Sequence, residues 1–248
     1  MSYAAGPDGI PSSILKMCSS LLALPLAKLF SRSLHESKFP DAWKVSYMFP
    51  VHKKGEKRNV ENYRGITSLC SCSKVFEIIM NDVLFDSCKS YICTAQHGFY
   101  PKRSVVTNLT EFVSLSVCTM DAGGQIDAVY TDHKFDCVNH GILLARPNKQ
   151  GVALSMVEWF RSYRTNRQLS VNIGVSHSDV FTNLSGVPQG SNLGPLLFTL
   201  FLNELSFLLP LRSRLFYADD VKYSRLLTAS RTVKDFNHVL MVWPTGAR

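Results

Sequence analysis

Asp219 and Asp220 stand side by side after the apolar run Leu215-Phe216-Tyr217-Ala218 and ahead of Val221-Lys222-Tyr223. The pattern reads as strand, tight turn, strand, with both acids at the turn. Neighbouring side chains of a straight strand point to opposite faces, so only a bend lets the two carboxylates converge. Held together at the end of a buried strand, they repel each other unless a cation sits between them. The chemistry on offer is divalent-metal binding; the bland alternative is a solvated acidic turn, the commoner fate of a bare Asp-Asp pair. A third acid, Asp132, closes a second strand-like stretch, Ile126-Asp127-Ala128-Val129-Tyr130-Thr131. If the two strands lie side by side in one sheet, three carboxylates meet at its rim. That donor set suits magnesium or manganese, and two such ions about 4 Å apart promote in-line displacement at phosphorus.

A dense basic stretch, His52, Lys53, Lys54, Lys57, Arg58 and then Arg64, surrounds Gly55. It reads as the tip of a β-hairpin, either a solvated loop or a phosphate-binding one, since Lys and Arg supply charge and donors to phosphate oxygens. His97, within Gln96-His97-Gly98-Phe99, reads as a structural turn residue rather than a metal ligand. The seven cysteines are scattered without paired CxxC clusters, which excludes a zinc site of the usual spacing. Cys70 and Cys72 read as two helix-proximal thiols. No signal peptide opens the sequence, so the thiols are read as reduced and the chain as intracellular, cytoplasmic or nuclear.

Apolar spacing indicates the scaffold around these residues. At 248 residues, 46% hydrophobic and 19% charged, the chain can bury a real core and is not disordered. A formal net charge of +8 points to a polyanionic partner. The apolar stretches are interrupted by Lys28, or by Asn203 and Glu204, so no membrane span is expected. Ile14, Leu15, Cys18, Leu21 and Leu22 predict one core helix, and Leu26, Leu29, Phe30 and Leu34 a second one beyond Pro25. Val45 to Val51 reads as a strand interrupted by Pro50. Ser73 to Cys88 reads as an amphipathic helix with Val75, Phe76, Ile79, Val83 and Leu84 on one face. A helix is expected from about Arg103, a buried strand over Gln125 to Asp132, a helix over Met156 to Tyr163, and a strand pair around Gly174. The loop Gly186-Val187-Pro188-Gln189-Gly190-Ser191 feeds an apolar helix from about Leu193 to Leu209. One continuous α/β unit is the simplest partition.

Seven segments then fall into a recognisable order: Gly6-Pro7-Asp8-Gly9-Ile10-Pro11; Lys53-Lys54-Gly55; Asn62-Tyr63-Arg64-Gly65-Ile66-Thr67-Ser68-Leu69; Gln96-His97-Gly98-Phe99 with Arg103-Ser104; Tyr130-Thr131-Asp132 with Phe135-Asp136; Gly186 to Ser191 with Leu193-Gly194-Pro195; and Tyr217-Ala218-Asp219-Asp220. In this order they resemble the reverse transcriptase domain of non-LTR retrotransposons, especially the jockey-like elements of insects, over nearly the whole chain. The resemblance implies an α+β fold, a right-hand polymerase palm (an antiparallel sheet with helices packed on one face) plus fingers, with the thumb missing. It implies one domain fragment over residues 1–248, fingers about 1–120 and palm about 121–240, interleaved and without an endonuclease. The implied activity is RNA-directed DNA polymerisation, with Mg2+ or Mn2+ as cofactor and an RNA template, a DNA primer and dNTPs as partners. Residue by residue, Asp132, Asp219 and Asp220 match the metal-binding catalytic carboxylates. Lys53 or Lys54, with Arg64, match the residues that hold the triphosphate. Gln189 and Gly190 match the loop lining the nucleotide pocket, and Phe135 the aromatic residue that rejects a ribose 2′-hydroxyl.

The family pattern around the first acid reads Asp-Phe-Ser-Lys-Ala-Phe-Asp; here it is Asp132-His133-Lys134-Phe135-Asp136, shorter by two residues. The loss of two residues preserves side-chain parity but shifts the downstream residues by about 6–7 Å along a strand. The alternative expectation is therefore a truncated, inactive remnant that keeps the fold and its nucleic-acid binding.

Overall fold

The computed structural model describes residues 5–132, 153–183, 188–208 and 214–227. The chain divides into two compact units, each assembled from two stretches: Met1–Cys88 with His140–Gly194, and Lys89–Asn139 with Pro195–Arg248.

In the first unit, the turn at Gly6 to Gly9 leads into α1 (Ser12–Met17) and α2 (Ser19–His35). The expected break at Pro25 falls instead at Cys18, and Pro25 lies inside α2. Ile14, Met17, Leu21, Leu24 and Leu29 are exposed, so only the Phe30 end of this pair reaches the core. There Phe30 stacks on Phe76 at 4.4 Å and Trp159 on Tyr163 at 5.7 Å, while Phe39 meets the Trp159 ring edge-on at 5.6 Å. The Trp159 indole donates to Ser33 Oγ (2.9 Å), which satisfies the polar end of a fully buried ring. Phe76 belongs to α3 (Ser71–Cys88), and Trp159 and Tyr163 to α5 (Leu154–Arg164).

Beside this aromatic core, β1 (Val45–His52) runs antiparallel to β2 (Tyr63–Ser68) and parallel to β4 (Arg167–Ile173). Two short strands, β5 (Ser176–His177) and β6 (Phe181–Asn183), complete the sheet by pairing with β4. The strand holds through Pro50 because β4 reaches only Val45 to Met48; beyond that, among the described strands, one side of β1 carries no ladder for proline to interrupt. On α3 the buried line is Ser73, Phe76, Glu77, Met80, Leu84 and Cys88, whereas Ile79 and Val83 of the expected stripe are exposed. Apolar residues flank both sides of this helix, and the aromatic cluster selects which side turns in.

The second unit is a three-stranded antiparallel sheet, β3 (Gln125–Asp132), β8 (Asp220–Leu227) and β7 (Arg214–Tyr217) in that spatial order. Two helices pack against it: α4 (Val105–Asp121), capped by the Ser104–Thr107 box, and α6 (Gly194–Leu208). Phe198 and Leu202 of α6 form the core with Ala95, Leu215, Phe216 and Val221. The α+β expectation of an antiparallel sheet backed by helices is met. β3, expected to be buried, is only half-buried, and its Tyr130 is exposed, because β8 covers it on one side alone among the described strands. No described helix is long and apolar enough to cross a membrane.

Candidate active site

The acid turn is built by strand register. Tyr217 pairs with Asp220, which leaves Ala218 and Asp219 as a two-residue hairpin turn. Such turns match the twist of their strands when φ is positive, and Ala218 takes φ 53°. β8 then pairs with β3 so that Asp220 lies directly across from Asp132. Opposed Cα atoms of an antiparallel pair are about 4.5–5.5 Å apart, so the backbone positions of Asp132, Asp219 and Asp220 share one rim of the sheet. Asp219 is half-buried and Asp220 exposed. Behind them on β8, the Lys222 ammonium lies 4.1 Å from the Phe112 ring centroid and 5.2 Å from that of Tyr130. Burial lowers its pKa, and the two ring faces hold the cation in that half-buried place.

The outer edge of β7 is covered by the segment around Gln96. Phe216 N–H donates to the Ala95 carbonyl (2.9 Å), and His97 N–H to the Phe216 carbonyl (2.8 Å). Both ring nitrogens of the buried His97 face α4, Nδ1 2.8 Å from Thr107 Oγ1 and Nε2 3.1 Å from Glu111 Oε2. The histidine is a structural residue of the turn, as its sequence context suggests. Sequence spacing gives no sign that this turn docks on the acid hairpin more than 100 residues later.

In the first unit, the basic hairpin is a tied loop. Lys53 N–H donates to the Asn62 carbonyl (2.8 Å), Asn62 Nδ2 to the Glu56 carbonyl (2.9 Å) and Tyr63 OH to the Lys57 carbonyl (2.9 Å). Lys53 and Lys54 leave the end of β1 exposed, and Arg64 stands exposed opposite Val51. Arg64 shares a face with Val51, Phe49 and Ile66, all exposed, so the hairpin presents one surface that is both apolar and cationic. The Gln189-Gly190 turn covers the edge of β2: Thr67 N–H donates to the Gln189 carbonyl at 2.7 Å. Gly190 has φ 103°, and a Cβ there would lie 2.9 Å from the Thr67 carbonyl oxygen.

This turn is pinned from beneath by Glu77. Its carboxylate, fully buried, accepts from Asn192 N–H (2.9 Å) and Tyr163 OH (3.0 Å). In the sequence Glu77 is marked only as a carboxylate between Phe76 and Met80, in what proves to be the buried line of α3. Thus Lys53, Lys54, Arg64, Gln189 and Gly190 gather along one sheet of the first unit, and the three acids along one sheet of the second. Phe135 and Asp136 lie outside the described residues.

The sequence pattern of the reverse transcriptase (RNA-dependent DNA polymerase) family matches residues 51–235. The chain belongs to the reverse transcriptase family. The resemblance read from the motif order is thereby borne out. Among its curated relatives, the chain is 29% identical over 212 residues to the "Probable RNA-directed DNA polymerase from transposon BS" of Drosophila melanogaster, covering 83% of this chain and 23% of that protein. It is 26% identical over 262 residues to the "RNA-directed DNA polymerase from mobile element jockey" of the same species, covering 98% of this chain and 28% of that one. The chain therefore spans about a quarter of the length of these relatives. Among solved structures, apo telomerase from Candida tropicalis, truncated from its C-terminal domain, superposes with a TM-score of 0.59 at 11% identity, over 84% of this chain and 49% of that one. At that identity the likeness is one of fold.

Proposed function

We propose that this chain is the polymerase portion of an RNA-directed DNA polymerase of a non-LTR retrotransposon. It would join dNTPs to the 3′-hydroxyl of a DNA primer on an RNA template, inside the cell. The observation that carries this reading is the register of β3, β8 and β7, which sets Asp132, Asp219 and Asp220 at one rim. Three carboxylates are a fit donor set for Mg2+ or Mn2+, and reverse transcriptases as a family use divalent cations. Bound by these acids, such ions would lower the pKa of the attacking hydroxyl and offset charge on the departing pyrophosphate.

The chain's own residues bind and orient. The fingers role falls to the unit with the basic hairpin, where Lys53 or Lys54, with Arg64, grip triphosphate oxygens through charge-assisted hydrogen bonds. Gln189 and Gly190 line the nucleotide and template side of that sheet. The exposed Phe49 beside Arg64 offers a base a stacking ring, with Ile66 as its apolar neighbour. The palm role falls to the unit with the acids, and Phe135 is the residue that excludes a 2′-hydroxyl.

The test is Mg2+-dependent primer extension on an RNA template, comparing the chain with its Asp219→Asn variant. Extension that falls by about 100-fold or more in the variant is expected, the scale of losing one preorganised group that stabilises developing charge. Equal extension by both proteins would remove the reading.

A further inference from the structure

We propose that Gly98 and His97 are positioning residues for the acid turn, setting the level at which Asp219 meets the cation. The proposal rests on the reading of Asp132, Asp219 and Asp220 as metal-binding acids, and concerns what holds them in place. Ala218 sits in the left-handed region at φ 53°, a conformation a non-glycine residue keeps only when its surroundings over-determine it. Within β7 alone, little does so: the strand is four residues long and β8 pairs with one side of it.

The other side is held by the segment from Ala95 to Gly98. Its backbone brackets Phe216 with two hydrogen bonds, and Asn108 Nδ2 adds a third to the Phe216 carbonyl (3.2 Å). Gly98 then lies flat against the turn itself. A Cβ at position 98 would stand 2.0 Å from the Ala218 amide nitrogen, 2.8 Å from its Cα and 2.9 Å from the Tyr217 carbonyl carbon. All three are backbone atoms, so no side-chain rotation relieves the overlap; the turn and the Gly98 backbone would have to move apart. The segment is in turn fastened to α4 through the His97 ring, between Thr107 and Glu111. The Arg103 guanidinium fastens it as well, donating to the carbonyls of Thr94 and Gln96. Rigid helix, imidazole, glycine backbone and acid turn thus form one continuous train of contacts. Displacement at its glycine is delivered to the residue next to Asp219.

The experiment titrates Mn2+ into the chain by electron paramagnetic resonance, with melting midpoint and amide hydrogen exchange measured alongside. The variants are Asp219→Asn, Gly98→Ala, Glu111→Ala and Glu111→Gln. Glu111 is exposed at its side chain, so its replacement spares the core while freeing the Nε2 side of the His97 ring and leaving only the Thr107 contact, and glutamine keeps an acceptor for it. Mn2+ binding by the unaltered chain should be lost in Asp219→Asn. Gly98→Ala should weaken it by about 10–100-fold, the range for residues that orient metal ligands from behind. Glu111→Ala should weaken it in the same direction and speed exchange of the Phe216 amide, whereas Glu111→Gln should restore both. Mn2+ affinity unchanged in a folded Gly98→Ala overturns the proposal. If that variant does not fold, unchanged affinity and unchanged Phe216 exchange in Glu111→Ala overturn it instead. Mn2+ binding that survives Asp219→Asn refutes the metal reading itself, and the positioning role falls with it.

Discussion

Glu77 is wholly removed from solvent, and a carboxylate at that depth persists only if donors replace water. Burial raises its pKa above the ordinary 4.5, against the opposing pull of Arg167 and of the Asn192 and Tyr163 donors. A folded-state value above the unfolded one means the folded chain holds an extra proton between the two. Stability is therefore fullest below the unfolded value and declines as pH rises to the folded one. Glu77→Gln should flatten that decline, read as urea midpoints across the acid range; an unchanged slope would assign the proton elsewhere. Glu77→Ala should lower stability by about 3 kcal/mol, because Tyr163, Asn192 and the Arg167 charge are left without their partner. The acids at the rim were legible in the sequence because two strand-like runs end in carboxylates. Glu77 was not, because a buried polar residue is marked by its partners, and these lie 86 and 115 residues away.

At the scale of elements, the hairpins followed from alternation and turn chemistry, and the helices from apolar spacing. What spacing misjudged was which face turns inward and where α1 gives way to α2. Pro25 lies exposed within α2, where it lacks an N–H and crowds the preceding turn. Pro25→Ala should therefore stabilise the first unit, by about 1–3 kcal/mol in urea unfolding. No gain would mean that the helix already bends to accommodate the ring. The Gln189-Gly190 turn makes the opposite case. With φ 103° and the Thr67 carbonyl in the way, Gly190→Ala is strained by both backbone and contact. The turn should lift from β2, destabilising the unit by more than about 1 kcal/mol and raising KM for dNTP more than it lowers kcat. A larger loss in kcat at unchanged KM would detach this turn from nucleotide binding.

At the scale of the whole molecule, the net charge of +8 draws the chain toward any polyanion, so binding to nucleic acid is expected with or without specificity. Charges that touch phosphates and charges that only add to the field separate by salt. Each phosphate contact contributes a slope of about −0.7 to −0.9 to the logarithm of affinity against that of salt. Lys53, Lys54 and Arg64 are all exposed, and either a template backbone or a triphosphate would fit them by charge alone. Replacing the three by glutamine separates the two ligands. If they grip the triphosphate, KM for dNTP should rise about tenfold or more while the salt slope for template–primer binding stays within about one of its starting value. If they grip the nucleic-acid backbone instead, the slope should flatten by about two to three with KM for dNTP unmoved. The tied loop favours the first outcome. Its backbone is fastened at Lys53, Glu56 and Lys57, so cations on it meet a compact ligand at a fixed height, which diffuse contact with a polymer does not require.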